Sequence, residues 1–568
     1  MEILRFKPAN CKNCYKCLRE CPVKAIGIRN GQAEILRNDC LICGHCLTVC
    51  PQNAKEARDD TDAVRSLIAG GKKVFASVAP SFIAAFETEG LEPFTAALQK
   101  LGFAGAEETA VGAAAVSQEY TRLLTARSRP VLISSACPTV VKLIEKYHPE
   151  VIGSLAPVIS PMEAHARQMR ARYGDDIAVV FIGPCICKKD EAAWPDTHVN
   201  AAITFEELAR WFAKEGITFG PEPAPDPPAP LEPAGGARLY PLEGGIIRSM
   251  GSPIPGITYI SLSGMDNCRK ALREVAQGGM SGFFLELNAC AGGCVNGPCM
   301  VMPRGGLLRA RRRAGLYAAA RRTYPLGPAP AVDMTRRPKA DPVLQEMPGE
   351  QAIREILAQT GKFRPEQELN CGACGYPTCR EKAVAVWQGK AEVSMCMPYM
   401  RERAEYISDH VIAYSPNAIV VLDDHLTIQA VNQAACELFE IKDAKEIRGK
   451  YVGDLTDASA FEESVVRREN ILGRRMFLYR YEKYVEESVV YVRDHNLIFA
   501  IIRDLTQEEK QNQNLQKVRM DTAATADNVI EKQMRVVQEI AMLLGETAAE
   551  TKIALTKLKE TIASPDKP

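Results

Sequence analysis

The sequence predicts a multidomain protein that combines α+β and α/β modules. Its 568 residues are about three to four times the length of an ordinary domain. Twenty cysteines are present, and twelve of them fall into two clusters, eight between positions 11 and 50 and four between 371 and 396. Strand-like apolar runs alternate with helical stretches from about residue 73 to 310, and again from about 404 to 504. These observations together indicate several separately folded modules.

The composition excludes several classes of partner. Lys and Arg (70) balance Asp and Glu (70), so no net field attracts nucleic acid, and no apolar run reaches the 18 residues that would suggest a membrane span. The first residues, MEILRFK, lack the pattern of a secretion signal. We therefore expect a cytoplasmic protein without a nucleic-acid or membrane partner. In such a chain, clustered cysteines indicate metal or iron–sulfur ligation.

The first module, residues 1–58, contains a duplicated cysteine run. The spacing C-x2-C-x2-C-x3-C-P occurs at 11–22 and again at 40–51. It is typical of two-cluster ferredoxins, in which the fourth thiolate of each run crosses to the other 4Fe-4S cluster. The pattern predicts one cluster on Cys11, Cys14, Cys17 and Cys50, and a second on Cys40, Cys43, Cys46 and Cys21. Zinc is the alternative, but a zinc site has no use for interleaved runs.

The α/β body, residues 59–310, contains dispersed cysteines with informative neighbours. The segments are SSACP (134–138), GPCICKKDE (183–191) and ELNACAGGC (286–294). In this order they resemble the three H-cluster motifs of FeFe-hydrogenases. The resemblance implies a 4Fe-4S cluster on Cys137, Cys185, Cys290 and Cys294, with Cys294 bridging to a two-iron unit that carries CO, cyanide and a dithiolate. By spacing alone, ordinary buried thiols are the alternative.

The same resemblance implies roles for other side chains. Lys188 would donate a hydrogen bond to a cyanide nitrogen, Ser81 would do so from another side, and Glu191 matches an acidic position near the site. An ordinary surface lysine is the alternative for Lys188. Soft thiolates suit iron, and the pair Gly292-Gly293 would let the backbone approach the inorganic core.

Departures from the family motifs predict slow chemistry. Ala136 stands where hydrogen-evolving members have a proton-passing thiol, and an ungapped comparison places the next relay carboxylate near Ala115 or Val116 and a relay serine at Ala156. Alkyl groups transfer no protons, and such transfer contributes roughly 10² to 10⁴ in rate. Asn288 and Gly183 replace methionines, and GPC at 297–299 replaces a glycine-rich tail, which alters the pocket's polarity.

Two segments look like connections. Residues 219–236 are rich in proline and glycine and predict a surface loop. Residues 304–339 have a net charge of +9 from nine arginines, one lysine and one aspartate. We expect a basic linker over 311–350, with a solvated arm along acidic surface and a docking site for a partner or nucleic acid as the two interpretations of the charged segment.

A second cysteine cluster lies in residues 351–403. Cys371, Cys374, Cys379 and Cys396 follow a C-x2-C-x4-C-x16-C spacing. This resembles the small 4Fe-4S module of corrinoid and electron-transfer proteins and of sensory hydrogenases, and zinc remains an alternative. We expect core thiols at the remaining positions, Cys187, Cys268, Cys299 and Cys436.

The last two modules are a second α/β domain and a helix. Residues 404–510 resemble a PAS domain, with strands predicted at 418–422, 426–431 and 497–502, a turn at 423–425 and a helix through Phe439. Thr506-x-x-Glu509 has the form of a capping box, which would open the helix that occupies 511–568. Its heptad seam is Met534, Val537, Ala541, Leu544, Ala548, Thr551, Leu555, Leu558 and Ile562. We expect a homodimer or a signalling contact; packing on its own domain is the alternative.

The combination resembles hydrogen-sensing FeFe-hydrogenases of anaerobic bacteria. It implies that H2 binds at the H-cluster with slow turnover, and that the state of the site passes through 4Fe-4S clusters to the PAS domain. A separate kinase, phosphatase or regulator would read it, because residues 519–568 lack histidine and the chain has no phosphate-binding G-x4-G-K-[ST] loop. An electron partner such as ferredoxin and maturation proteins are also implied. The alternatives are a slow catalytic or bifurcating hydrogenase, and a non-catalytic iron–sulfur scaffold or electron-transfer protein.

Overall fold

The computed structural model describes residues 3–218, 236–301, 306–319, 330–493 and 496–562. The chain divides into two compact units, Met1–Met400 and Arg401–Pro568. The loop predicted at 219–236 lies outside the described residues except for Gly236. Within the described part of the chain, no helix combines the length and the apolar character needed to cross a membrane.

The duplicated cysteine runs form a duplicated backbone. Its elements are β1 (Leu4–Phe6), α1 (Lys16–Arg19), β2 (Ile26–Arg29), β3 (Gln32–Ile35), α2 (His45–Thr48) and β4 (Lys55–Ala57). Strands β1 and β4 pair antiparallel, as do β2 and β3. Positive φ angles recur at equivalent places in the two runs, at Asn13 and Ile42, Tyr15 and Gly44, and Lys24 and Asn53. Because left-handed backbone is unfavourable for residues other than glycine, its repetition marks a conformation that both halves require.

Two parallel sheets form the centre of the larger α/β domain. The first has the order β6 (Gly105–Glu108), β5 (Val74–Val78), β8 (Ala178–Gly183) and β9 (Ala201–Thr204). The second has the order β10 (Thr258–Ser263), β11 (Phe283–Asn288) and β7 (Val131–Ile133). All pairings are parallel, and β8 is buried along its whole length, as expected for strands covered by helices on both faces.

Helices surround these sheets. They are α3 (Thr61–Ala69), α4 (Phe82–Ala85), α5 (Leu91–Lys100), α6 (Ala110–Thr125), α7 (Pro138–Tyr147), α8 (Pro161–Tyr173), α9 (Cys187–Glu191), α10 (Phe205–Lys214), α11 (Gly245–Ser249), α12 (Met265–Gln277) and α13 (Gly306–Ala319). The alternation of strands and helices predicted from residue 73 to 310 is therefore confirmed. A core of buried apolar side chains, including Phe82, Phe94 and Phe205, lies between the first sheet and its helices.

The basic segment is only partly a linker. Helix α13 buries Ala310, Ala314 and Tyr317 in the core of the first sheet, so the expectation of a linker from residue 311 is wrong at this helix. The prediction was wrong because the arginines dominate the composition of the segment, although the opposite face of the helix carries an apolar stripe. Further on, Thr335 bridges to Val158, and the Arg336 guanidinium lies 3.0 Å from the Glu145 carboxylate. This part runs along the domain and pairs with an acidic group, as expected of a surface arm.

The second cysteine module shares a core with the first module. It contains α14 (Glu350–Ala358) and α15 (Cys379–Trp387), and α16 (Met397–Ala413) follows it. Tyr376, Ala385 and Met395 join the apolar cluster of Leu18 and Ile26. Backbone hydrogen bonds and an ion pair reinforce the contact, including Ile28 N to Lys390 O (3.0 Å) and Lys390 to Asp39 (2.6 Å). Modules that are far apart in sequence thus form one packed body.

The second unit contains a five-stranded antiparallel sheet. Its strand order is β13 (Ile428–Val431), β12 (Ala418–Asp423), β16 (Leu497–Asp504), β15 (Lys483–Val492) and β14 (Ile471–Leu478). The remaining short helices are α17 (Gln433–Leu438), α18 (Ala444–Ile447) and α19 (Ser459–Arg467). The three predicted strands and the predicted helix are confirmed, although the second strand begins two residues later than predicted.

A single helix, α20 (Thr506–Ile562), follows the sheet. The predicted capping box is wrong, because the Thr506 hydroxyl accepts a hydrogen bond from Tyr484 N, while Glu509 N donates to Leu505 O. The Asp504 carboxylate accepts from Thr506 N instead. The seam residues whose exposure is described include Met534, Val537, Leu544, Leu555 and Leu558, each more than half exposed.

Candidate functional site

Strands of both parallel sheets end at one cavity, with a volume of about 110 Å³. Ser81 follows β5, Cys185 follows β8, Cys137 follows β7, and Cys290 and Cys294 follow β11. All five side chains line the cavity. Sites at the carboxyl ends of parallel strands are the general rule in α/β folds, because the loops there are free to vary while the sheet holds them in place.

The four thiols form a partly buried donor set at the cavity wall. Burial raises the pKa of Cys185 to about 11, and it raises the pKa of Cys290 and Cys294 well above the ordinary value; neighbouring thiolates raise these pKa values further. Burying several thiolates together is unfavourable unless cations compensate their charge. Iron ions supply that charge and prefer soft sulfur ligands, so this donor set fits an iron–sulfur cluster.

Lys188 is a buried cation at the cavity wall. Its ammonium group donates to Glu191 Oε2 (2.6 Å) and to Ser160 Oγ (2.9 Å). A lysine has three protons to donate, and these two bonds use two of them, while the residue also lines the cavity. The surface-lysine alternative is thereby ruled out, since Lys188 is 7% exposed. Glu191 is buried behind Lys188, where it fixes the ammonium group, and it does not line the cavity.

Ser81 has a polar group without a partner. Its Oγ is fully buried and makes no hydrogen bond to any described residue, yet it lines the cavity. An unpaired buried hydroxyl typically destabilises a protein by about 1–3 kcal/mol. The unpaired Ser81 Oγ indicates that the cavity accommodates a polar group that can form a hydrogen bond with it. Cyanide and CO ligands would be such groups. The side chains present therefore fit the two-iron unit implied by the motifs.

The positions expected for proton transfer are packed in hydrocarbon. Val116 and Ala156 are buried in an apolar cluster against which Ala136 also packs, and Ala136 lines the cavity. Ala115 is half-buried on α6. Asn288 also lines the cavity, and its amide donates to Glu286 Oε1 (3.1 Å). The two buried tyrosines of this apolar cluster pair with buried serines, Tyr240 with Ser117 (2.8 Å) and Tyr120 with Ser135 (3.0 Å).

Two glycines owe their identity to close packing. A Cβ on Gly183 would lie 2.7 Å from the Phe181 ring, so Phe181 occupies the space that a methionine would fill. A Cβ on Gly293 would overlap the backbone oxygen of Pro241. We expected Gly293 to let the backbone approach the inorganic core. In the structure, Gly293 instead lies close to the backbone of residues 241–243.

The thiols of the first module are brought together in the predicted sets. Cys11, Cys14, Cys17 and Cys50 line one pocket, so the last cysteine of the second run does reach the first set. Burial raises the pKa of Cys40 to about 11 and of Cys43 to about 12, and both thiols also interact with Cys21. Cys46 interacts with Cys21, Cys40 and Cys43. As ligand sets, both groups remain predictions.

The four cysteines of the later module also line a single pocket: Cys371, Cys374, Cys379 and Cys396. Lys362 Nζ donates to Cys396 Sγ (3.3 Å), and Lys382 borders the same pocket. Burial lowers the pKa of Lys382, and its neighbours include Cys396 and Cys374. Two cations beside a thiolate cluster favour its more negative, reduced state.

The remaining thiols are structural. Cys187, Cys268 and Cys299 are fully buried, which confirms the prediction for them, and Cys436 is half-buried. Across the described residues, no group of three or more His, Cys, Asp or Glu side chains is arranged to hold a single metal ion.

Some residues at the cavity carried no sequence signal that pointed to it. Phe181, Tyr240 and Thr109 line the cavity, but each comes from a strand end or loop with ordinary local composition. Ser160, which holds Lys188, is also the N-cap of α8 and accepts from Glu163 N. The pattern Ser-Pro-x-Glu at 160–163 is typical of a helix start, so the sequence indicates the capping role of Ser160. It does not indicate the hydrogen bond to Lys188.

Family models match each module. The C-terminal domain of the iron only hydrogenase large subunit matches residues 72–255 and 252–298, and a 4Fe-4S dicluster domain matches 3–51. An Fe–S cluster family matches 367–398, and a PAS domain matches 409–475. The hydrogenase model covers less than half of the chain.

Individual relatives span only part of the chain. The NADP-reducing hydrogenase subunit HndD of Solidesulfovibrio fructosivorans is 25% identical over 365 residues, which are 50% of this chain and 62% of that protein. The cytosolic iron-sulfur assembly component 3 of Rattus norvegicus is 23% identical over 423 residues, 60% of this chain and 86% of that protein. A variant of the [FeFe]-hydrogenase HydA1 from Chlamydomonas reinhardtii covers 46% of this chain and 89% of its own, at 20% identity and a TM-score of 0.37.

The alignment with HndD thus spans less than two thirds of that relative's length. The modules, by contrast, are each matched by a family model in the order in which the fold presents them. The chain is an FeFe-hydrogenase-like iron–sulfur protein that carries a 4Fe-4S dicluster domain and a PAS domain.

Proposed function

We propose that this protein is a sensory FeFe-hydrogenase of the cytoplasm of an anaerobe, which binds H2 at an H-cluster and reports its state through 4Fe-4S clusters to the PAS domain. Cys137, Cys185, Cys290 and Cys294 would hold the cubane, and Cys294 would bridge to the two-iron unit. When bound, that unit would supply the open iron site at which H2 is split. The supporting observation is the cavity that combines four partly buried thiols, the buried Lys188 ammonium group and the unpaired Ser81 hydroxyl.

The proposed slow turnover would suit sensing better than bulk catalysis. The side chains at the expected proton-relay positions pack in hydrocarbon, and Ala136 presents a methyl group to the cavity. A group that cannot accept a proton cannot act as a general base. The bound state would then persist long enough for a partner to read it.

The cluster sets form a continuous series within the first unit. Cys43 lines the cavity together with Cys290. At the other end of the ferredoxin domain, Tyr15 interacts with both Cys11 and Cys374. In the proposed series the Cys40 set lies next to the cavity, and the Cys371 set borders the ferredoxin sets at Cys11, through Tyr15, and at Cys21, through Tyr376. Helix α16 begins immediately after Cys396, the final ligand of the series, and ends shortly before β12 of the PAS domain.

The output would be read by a separate signalling kinase, phosphatase or regulator, and electrons would be exchanged with a partner such as ferredoxin. Maturation proteins would install the two-iron unit. The match to an iron–sulfur assembly component supports one other function, a non-catalytic iron–sulfur scaffold, which would hold cubanes but no two-iron unit.

Infrared spectroscopy of anaerobically matured protein, under argon and then under H2, tests the proposal. We expect CO and cyanide bands that shift under H2, slow turnover, and about 18 irons per chain from four cubanes and the two-iron unit. If these bands are absent while the same maturation proteins load a control hydrogenase, the scaffold function is correct and the sensory one is wrong.

The Ala136→Cys variant is expected to turn over faster than the parent protein, by roughly two- to tenfold. It restores a thiol at the cavity wall, which is the first group of the missing relay, while Ala156 still interrupts the rest. The rate of H2 oxidation with a dye, per two-iron unit, measures the effect. Ala136→Ser serves as the control, since a hydroxyl is a much weaker acid. No gain with cysteine would show that proton transfer at this position does not limit the rate.

The exposed seam of α20 is expected to dimerise the protein. A row of apolar side chains that are each more than half exposed gains stability when a second copy covers it. Leu555→Asp is expected to weaken the dimer at least tenfold, as measured by sedimentation equilibrium. Met542→Asp is the matched control, because Met542 is an exposed apolar residue of the same helix that lies off the seam. A monomeric parent protein, or equal effects of both changes, would contradict the seam as the interface.

A further inference from the structure

We propose that four buried side chains, Thr109, Ser77, His165 and Glu107, form a proton path between the cavity and the surface near Tyr173. The path rests on the proposed function, since it would serve protons that arise in the cavity. It uses different residues from the relay positions occupied by alanine and valine.

The path is a continuous series of hydrogen bonds. Thr109 lines the cavity, and its Oγ1 lies 2.8 Å from Ser77 Oγ. Ser77 Oγ lies 2.8 Å from His165 Nδ1, and His165 Nε2 lies 3.2 Å from Glu107 Oε2. Tyr173 donates its hydroxyl proton to Glu107 Oε1 at 2.6 Å. Thr109, Ser77, His165 and Glu107 are all 5% exposed or less, whereas Tyr173 is 39% exposed.

The fold places these groups in line. Ser77 and Glu107 are directly paired on the neighbouring parallel strands β5 and β6. His165 lies on α8, which packs closely against α6 at Gly112. A Cβ on Gly112 would lie 2.6 Å from the backbone nitrogen of His165, so only glycine permits this approach. The imidazole thereby reaches both strands at once.

The charges give the path a direction. Burial raises the pKa of Glu107, but hydrogen bonds from His165 and Tyr173 and the charge of Arg172 outweigh it and lower the pKa overall. Glu107 is then an anion at neutral pH and accepts the proton on His165 Nε2. That leaves Nδ1 as the acceptor for the Ser77 hydroxyl, which in turn accepts from Thr109. His165 thus bonds one hydroxyl, that of Ser77, on one side and one carboxylate, that of Glu107, on the other.

One transfer moves one proton and no electrons. A proton from the cavity bonds to the Thr109 oxygen while the hydroxyl proton of Thr109 passes to Ser77. The Ser77 proton passes to His165 Nδ1, the Nε2 proton passes to Glu107 Oε2, and the neutral Glu107 releases a proton to water. The hydroxyls and the imidazole ring must turn back before the next transfer. That requirement suits a slow sensor better than a fast catalyst.

A purely structural network would show the same distances, so the test needs variants that keep hydrogen bonds but block transfer. His165→Gln retains a donor and an acceptor without passing a proton, and Thr109→Val removes one hydroxyl at nearly constant volume. In matured protein, each is expected to lower the rate of H2 exchange with deuterium oxide at least tenfold, with the CO and cyanide bands unmoved. Thr109→Ser is expected to restore the rate to within twofold of the parent.

His148→Gln is the matched control. His148 is also buried, and its Nδ1 lies 3.1 Å from Glu150 Oε1, but the residue does not border the cavity. Its exchange rate is expected to equal that of the parent. An unchanged rate in His165→Gln with unmoved bands would overturn the path.

A second measurement needs no two-iron unit. In protein made without maturation proteins and labelled with ¹⁵N-histidine, the His165 resonances, assigned by their loss in His165→Gln, are expected to show an unprotonated Nδ1 and a protonated Nε2. A proton on Nδ1 at neutral pH would overturn the path. If the matured parent protein lacks CO and cyanide bands, the proposed sensory function is wrong. The position of the proton on His165 then still tests whether the hydrogen bonds of the path are arranged as inferred.

Discussion

The Cys294→Ala variant is expected to lose all CO and cyanide bands and at least the two irons of the two-iron unit, so that about 18 irons per chain fall to about 16 or fewer. Cys294 lines the cavity beside Cys185 and Cys290, and it is the proposed bridge between the two parts of the cofactor. Alanine supplies no ligand, and no described cysteine outside the set borders this part of the cavity except Cys43. Infrared spectra and iron analysis on one matured sample measure both losses.

Cys268→Ala is the matched control for this loss. Cys268 is fully buried and lies 3.5 Å from Asn288 O, close to the same strand end, but it does not line the cavity. The variant is expected to keep its bands and its iron. Bands that survive in Cys294→Ala would refute the ligand assignment, and bands lost in both variants would show that the domain tolerates no change there.

Glu487→Gln is expected to stabilise the PAS domain above pH 7 by as much as about 3 kcal/mol. Glu487 is 2% exposed on β15, and its Oε2 has no hydrogen-bond partner among the described residues. Burial raises the pKa of Glu487 to about 7, against an attraction to Arg474 that lowers it. Because the folded-state pKa is raised, the folded domain is most stable below the ordinary glutamate pKa and loses stability as pH rises through about 7. Glutamine never ionises and removes this loss.

Amide hydrogen exchange of β15 in the full-length protein, at pH 5 and pH 8, measures this effect. After correction for intrinsic exchange, Glu487→Gln is expected to raise protection up to about 10²-fold at pH 8 and little at pH 5. Glu486→Gln is the control, since the adjacent Glu486 points to the other face and lies 3.4 Å from Arg475. Equal gains at both pH values would mean that ionisation of Glu487 is not the cause.

Features encoded by local spacing were predictable from sequence. The duplicated run predicted that Cys50 joins the first three cysteines, and these four thiols do line one pocket, because short loops leave few alternatives. The strands of the PAS domain were also predictable, since their apolar runs are bounded by turn residues. In both cases the information lies within a few tens of residues.

Features that depend on distant segments were not predictable. Ser77, Glu107 and His165 come from two strands and a helix, and none of them stands in a recognisable motif. Thr506 has the sequence form of a helix cap, yet its hydroxyl pairs with Tyr484 of β15, because the sheet presents a better partner than the helix. Helix α13 has the composition of a linker because its charges outnumber the few alanines that enter the core.

The core shared by the first and second cysteine modules affects how the protein is made. Leu18 and Ile26 leave the ribosome early, but Tyr376 and Met395, which cover them, follow about 350 residues later. At 5–20 residues per second, that interval lasts roughly 20 to 70 s. During this time the apolar side of the ferredoxin domain lacks the side chains that cover it in the complete chain. The ferredoxin domain therefore completes its packing only after the whole α/β domain between the two modules has been synthesised.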